Sequence, residues 1–142
     1  MERFLCLDIG DKRIGVAVSD PFNSYSLPVM TYQRKNLKND LISISTLIKE
    51  KGATGLVCGL PVNLDGSPSI QTQKANFFIE KLKEIVKVEI FTIDERLTTV
   101  EADEVLISQG KSRQERKQFV DSLAAASILQ SFLNEYNKSK KQ

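Results

Sequence analysis

Two short β-favouring runs, Phe4–Ile9 and residues 14–19, are separated only by Gly10-Asp11-Lys12-Arg13, and both precede any helical periodicity. That spacing predicts a hairpin, since a glycine-containing polar turn can reverse the chain between two extended runs. A third extended piece over 27–32 completes an antiparallel meander. An opening of this kind argues against a doubly wound nucleotide-binding domain, whose first unit is strand, helix and parallel strand.

After the meander the apolar period changes. Leu41, Ile44 and Ile48 recur three and four apart and Gly52 follows as a stop, which predicts a helix over 38–51. Leu56-Val57-Cys58-Gly59-Leu60, closed by Pro61, is an uninterrupted apolar run and reads as a strand covered on both faces. Ala75, Phe78, Ile79, Leu82 and Ile85 mark a long helix after the loop Asn63-Leu64-Asp65-Gly66-Ser67-Pro68, and 88–93 is a further strand. Thr98 with Glu101 forms a capping box for a helix ending at Gly110, and a last helix spans 115–136. The expected fold is therefore α/β: a five-stranded mixed sheet, the meander followed by βαβ units, with helices packed on both faces. A chain of 142 residues suits one domain, 1–136, with 137–142 as a flexible basic tail.

Composition narrows the chemistry. The chain has no histidine, which removes imidazole bases, Ser-His and Cys-His nucleophiles and His-rich zinc sites. Cys6 and Cys58 lie inside apolar runs and read as buried thiols of a reducing cytosol. The net charge of +2 means that any basic surface is local. The apolar stretch after Met1-Glu2-Arg3 ends at Asp8, too short for a secretory signal or membrane span, so a cytoplasmic protein without a membrane partner is expected.

Carboxylates must then carry the reaction, and three are placed where an acid is costly. Asp8 interrupts the apolar run Phe4-Leu5-Cys6-Leu7 and Ile9, where desolvating a charge costs several kcal/mol unless a cation or partner compensates. Asp94 and Glu95 fall where a strand ends and a helix begins, the edge at which α/β sheets place ligands. Asp121 shares a helical stripe with Ala125, Ile128 and Phe132, flanked by Ala124 and Tyr136, within about 60° on a wheel of roughly 100° per residue. Ser127, Gln130 and Asn134 fall on the side expected to face solvent, although Leu123 shares it. Acids remote in sequence that meet in one core make an oxygen cluster suited to Mg²⁺ or Mn²⁺, and like charges so close would otherwise repel. With two such ions the cluster would cleave phosphodiesters.

The same residues resemble a known family. Leu7-Asp8-Ile9-Gly10-Asp11-Lys12-Arg13-Ile14-Gly15-Val16-Ala17, Gly59-Leu60-Pro61-Val62-Asn63-Leu64-Asp65-Gly66-Ser67, Asp94-Glu95-Arg96-Leu97-Thr98-Thr99 and Val120-Asp121-Ser122-Leu123-Ala124-Ala125 are similar to the ordered motifs of the YqgF, or RuvX, family. The resemblance implies a ribonuclease H-like fold related to the RuvC resolvases and a nuclease trimming the 5′ end of pre-16S ribosomal RNA. It implies Asp8, Glu95 and Asp121 as the catalytic, metal-holding acids. RuvC-like enzymes take their second acid from the strand before the long helix, where this chain has Leu60-Pro61-Val62-Asn63, which leaves Asp94 open beside Glu95.

Substrate contacts are expected from Gly110-Lys111-Ser112-Arg113-Gln114-Glu115-Arg116-Lys117, four cations and one acid just before Asp121. Lys12, Arg13 and Arg96 could add phosphate contacts, Asn63 could orient a water or phosphate or simply serve its turn, and Phe22, Tyr25 and Tyr32 could stack on bases or pack. The expected partner is nucleic acid, either precursor ribosomal RNA, also within ribosomal particles, or structured DNA, bound by a monomer or homodimer. Three other readings compete: a DNA junction resolvase, an ATP-binding phosphotransferase domain suggested by Asp8-Ile9-Gly10 followed by Gly15, and a non-catalytic RNA-binding assembly factor.

Overall fold

Backbone pairing joins the extended runs into one sheet of order β3-β2-β1-β4-β5 in a computed structural model. It describes residues 2–95 and the helix 113–140, the latter's side chains from residue 120 on. The strands are β1 (Phe4–Ile9), β2 (Arg13–Ser19), β3 (Ser26–Gln33), β4 (Gly55–Leu60) and β5 (Glu89–Asp94). β1, β2 and β3 form the antiparallel meander, whereas β4 and β5 run parallel to β1. The helices are α1 (Leu37–Glu50), α2 (Ile70–Lys83) and α3 (Arg113–Lys140). Each described element lies within a few residues of its sequence expectation, and the helix expected between Thr98 and Gly110 lies outside the described residues.

Side chains alternate across a strand, so β1 sorts its residues to two sides. Leu5, Leu7 and Ile9 join Ile44, Ile48, Phe78 and Leu82 of α1 and α2 in one apolar cluster. Phe4 and Cys6 join Ala125, Ile128, Leu129 and Leu133 of α3 in the other. Asp8 continues the second series, which directs it to the α3 side. Helices on both faces follow from this division, as expected.

Local chemistry starts and stops each helix. Asn36 caps α1, its side chain accepting from Asn39 N at 2.9 Å. Ser69 and Thr72 form a reciprocal capping box for α2, so that helix begins well before the apolar positions that announced it. Ile85 falls past its end and is half exposed.

Two expectations for α3 need correction. The side carrying Ser127, Gln130 and Asn134 is only partly turned to solvent: Asn134 is exposed, but Gln130 accepts from Ser26 N at 3.1 Å and donates to Ser24 O at 3.0 Å, and Leu123, Leu129 and Leu133 are buried. The helix lies across β1, β2 and β3, so more than one stripe is covered. The helix also continues past Asn137, where a flexible tail was expected to begin, to Lys140. Asn137 donates to Asn23 O at 2.8 Å, while Tyr136 and Lys140 both donate to the Glu2 carboxylate. Phe4, Phe91, Phe132 and Tyr136 pack with ring centroids 5.1–6.0 Å apart and fix this end of α3 to the sheet. Among the described residues, no helix is long and apolar enough to cross a membrane.

Candidate active site

The site begins as a gap in the sheet. Asp8 is in register with Gly15 on β2 and with Gly59 on β4, so the only side chain in this row of three residues is the acid. Glycine inside a strand weakens it and usually marks the close approach of another group. Both glycines do so here. A Cβ at Gly15 would collide with the backbone carbonyl of Asp121, and one at Gly59 would sit 2.5 Å from Glu95 Oε2 and 2.7 Å from Ile128 Cδ1. The buried small residues Ala124, Ala125 and Ala126 let α3 settle onto the sheet here. Asp121 thus arrives over β2 and Glu95 over β4, on either side of Asp8.

Electrostatics follow from this convergence. Burial, foremost, raises the Asp8 carboxyl; a hydrogen bond with Glu95 opposes the rise and the Asp121 charge adds to it. Burial likewise pushes Glu95 up to about 8, with the Asp8 charge, its hydrogen bond and the Asp94 charge adding. Crowding two carboxylates in a buried site thus favours the protonated form of Glu95. Asp94, the last residue of β5, is exposed, and it is Glu95 that reaches Asp8.

Asp121 is compensated differently. Its Oδ2 accepts from Arg13 Nε at 2.7 Å, an ion pair at the mouth of the gap. Arg13 opens β2 directly after the β1–β2 turn, which is tied down on its other side. Gln71 and Lys74 of α2 donate to Asp11 at 2.9 and 3.2 Å, and Arg34 Nη1 donates to Gly10 O at 2.9 Å. Arg34 is itself held by Asp40, a buried acid that also accepts from Tyr32 Oη and Lys35 N, each at 2.9 Å. Burial acts to raise the Asp40 carboxyl, but these three bonds outweigh it and hold the group below its ordinary value.

The donor set is chemically right for a hard divalent cation: carboxylate oxygens only, cleared of side chains by two glycines and already attracting one positive group. As they stand, the side chains do not close round an ion. Among the described residues no three His, Cys, Asp or Glu groups form such a cluster, and Asp121 is turned to Arg13.

The remaining predicted contacts are dispersed. Lys12 lies on the opposite side of the turn from Arg13, facing a groove beside α1 and α2. Asn63 is exposed in the loop before α2, where its amide donates to Ser67 Oγ at 3.0 Å and so shapes the turn. Phe22 and Tyr25 are exposed, whereas Tyr32 packs against the core and bonds Asp40. Arg96 and Lys111, and the side chains of Arg113, Arg116 and Lys117, lie outside the described residues. Gly59, Asp40 and the Asp11 tether carry no clear mark in the sequence as site residues. Strand-interior glycines were the available signal for the first, and nothing in the periodicity marked the others.

Comparison with known proteins identifies relatives over nearly the whole chain. The sequence model described as "RuvX: Holliday junction resolvase" matches residues 2–135. A Clostridium tetani protein named "Putative pre-16S rRNA nuclease" is 44% identical over 137 residues, covering 96% of this chain and 99% of its own. One of the same name from Thermoanaerobacter pseudethanolicus is 43% identical over 133 residues, covering 93% and 96%. Among solved structures, T. thermophilus RuvC in complex with a Holliday junction substrate superposes with a TM-score of 0.63 at 11% identity, covering 96% of this chain and 97% of that one. The Fowlpox virus resolvase bound to Holliday junction DNA gives 0.62 at 10% identity, covering 94% and 98%. At such low identity these likenesses establish the fold, the ribonuclease H-like architecture expected from the sequence.

Proposed function

Because this chain belongs to the RuvX family, we propose that it is a metal-dependent nuclease that hydrolyses phosphodiester bonds in maturing the 5′ end of pre-16S ribosomal RNA. The observation that carries the reading is that Asp121 and Glu95 close onto Gly15 and Gly59, the two residues in register with the buried Asp8 on its neighbouring strands. The names of the relatives support the ribosomal substrate.

Asp8, Glu95 and Asp121 are the proposed catalytic residues and would hold Mg²⁺ or Mn²⁺, which when bound as a pair supplies an activated water and neutralises charge on the leaving oxygen. The residues' own part is electrostatic. Glu95 would have to be ionised for the cluster to take a cation, and Asp121 would have to exchange Arg13 for it. Arg13, so released, is placed to meet a substrate phosphate at the mouth of the gap. Lys12, Asn63, Arg96, Lys111, Arg113, Arg116 and Lys117 are proposed as further substrate contacts, acting on the backbone and not on sequence. The enzyme would work in the cytoplasm, alone or as a homodimer, on precursor RNA free or within ribosomal particles.

The test is cleavage of a 5′-extended 16S precursor by purified protein with Mg²⁺ or Mn²⁺, beside Asp8→Asn and a four-way DNA junction. Cutting near the mature 5′ end by wild type alone is expected. Symmetric cutting of the junction with the RNA left intact would move the substrate assignment to DNA, and cutting of neither would end the nuclease reading.

A further inference from the structure

The face opposite the acids carries a groove of about 900 Å³ between the β1–β2 turn, the start of α1 and the side of α2. That volume is at the upper end of the roughly 300–1,000 Å³ of small-molecule sites, and the groove is open along its length. Its chemistry is mixed in a particular way. Four cations line it, Lys12, Arg34, Lys35 and Lys74. Arg34 is neutralised by Asp40 and Lys74 by Asp11, which leaves Lys12 and Lys35 with no acidic partner among the described residues. Between them lie apolar surfaces that the core does not need. Phe77 is 55% exposed and Ile70 is 70% exposed, while the neighbouring Phe78 is buried beneath the Arg34 guanidinium, 5.0 Å from its ring centroid.

Unpartnered lysines beside an exposed aromatic ring are what an unpaired nucleotide requires: charge for the phosphate and a flat apolar face for the base. Duplexes bury their bases and would use only the charge. The groove is also continuous with the proposed active site through one turn. Lys12 faces the groove and its neighbour Arg13 holds Asp121 on the other face, so a backbone crossing the turn meets both cations in succession.

We infer that this groove binds a single-stranded segment of the nucleic-acid substrate next to the scissile bond, with Lys12 and Lys35 on phosphates and Phe77 under a base. This inference rests on the nuclease reading and adds to it a preference for substrates with an unpaired flank.

The experiment is fluorescence anisotropy in a full-length Asp8→Asn background, which prevents cutting, with a labelled oligoribonucleotide of about 12 nucleotides, its deoxy counterpart and a duplex of the same sequence. Phe77→Ala is expected to weaken single-strand binding about tenfold and leave the duplex unchanged. Lys35→Ala should lower the slope of log affinity against log salt by about 0.7 for the single strands. Lys49→Ala, an exposed lysine near the far end of α1, controls for net charge and should change neither. Phe77 and Lys35 are both exposed, and unchanged melting temperatures will exclude misfolding. Single-strand affinities and salt slopes that ignore both substitutions, or equal losses for strand and duplex, would overturn the inference. Cleavage by the chain with Asp8 intact is measured separately. Absent cutting with the binding differences present removes the nuclease reading alone, and a cutting enzyme whose binding ignores both substitutions removes the groove alone.

Discussion

Gly15 lies directly beneath the backbone carbonyl of Asp121, so closely that a methyl group on the strand would occupy the helix main chain. The obstacle is backbone, which cannot swing aside as a side chain would. Gly15→Ala must therefore lift α3 from β2 or bend the strand, at a cost of about 1–3 kcal/mol or more, as for overpacking generally. Thermal melting should show that loss, and cleavage should fall with it because Asp121 moves away from Asp8.

Gly59→Ala offers the contrasting case. The added methyl would meet the ends of two side chains, Glu95 Oε2 at 2.5 Å and Ile128 Cδ1 at 2.7 Å, and both can give way. Stability should change by less than in Gly15→Ala. Activity should still fall steeply, because the group displaced is a proposed metal ligand. Equal melting temperatures with equal turnover for Gly59→Ala and wild type would show that Glu95 has no fixed position to lose.

The acidic pair makes the metal-free protein sensitive to pH in a defined direction. Glu95 is pushed up to about 8 in the folded chain against 4.5 for an ordinary glutamate. Between those values the folded state holds a proton that the unfolded state has released, so stability falls as pH rises through the window. The raised Asp8 carboxyl acts in the same sense. Melting in EDTA should show Glu95→Gln equal to wild type near pH 4.5 and progressively more stable than it towards pH 8. A difference that is constant, or that narrows with pH, contradicts this. Added Mn²⁺ should raise the wild-type melting temperature at high pH and leave the variant nearly unmoved.

Asp40 is only 1% exposed and receives Tyr32, Arg34 and Lys35. Removing its charge leaves Arg34 facing a neutral group in a largely buried site. Breaking such a pair costs about 3–5 kcal/mol when fully buried, and the partial exposure of Arg34 reduces this to about 2–4 kcal/mol for Asp40→Asn. Chemical denaturation measures it. Because Arg34 also holds the Gly10 carbonyl, the β1–β2 turn should loosen, with faster amide exchange at Arg13.

Much of this fold was legible because its elements carry strong periodic signals. Phe4–Ile9 is a short β-favouring run closed by a polar turn, and Leu41, Ile44 and Ile48 keep helical spacing, so strand and helix were distinguishable. The acids at 8 and 121 were legible for the opposite reason, since each breaks an apolar pattern at a cost. Asp40 sends no such signal: it falls among polar residues near a helix start, and only tertiary contact with Arg34 buries it. Gln130 misled because a wheel shows one apolar stripe, while α3 crosses three strands and is covered on more than one side. Which of Asp94 and Glu95 turns towards Asp8 also needed coordinates. A one-residue shift at a strand end decides which side chain faces inward, and spacing cannot fix where a strand stops.

The most direct test of the account is the anomalous scattering of manganese in crystals of the full chain grown with Mn²⁺ near neutral pH. A peak is expected about 2.0–2.3 Å from carboxylate oxygens of Asp8, Glu95 and Asp121, with Arg13 released from Asp121. Crystals saturated with Mn²⁺ in which no peak lies between these acids, and in which Arg13 still holds Asp121, would contradict it.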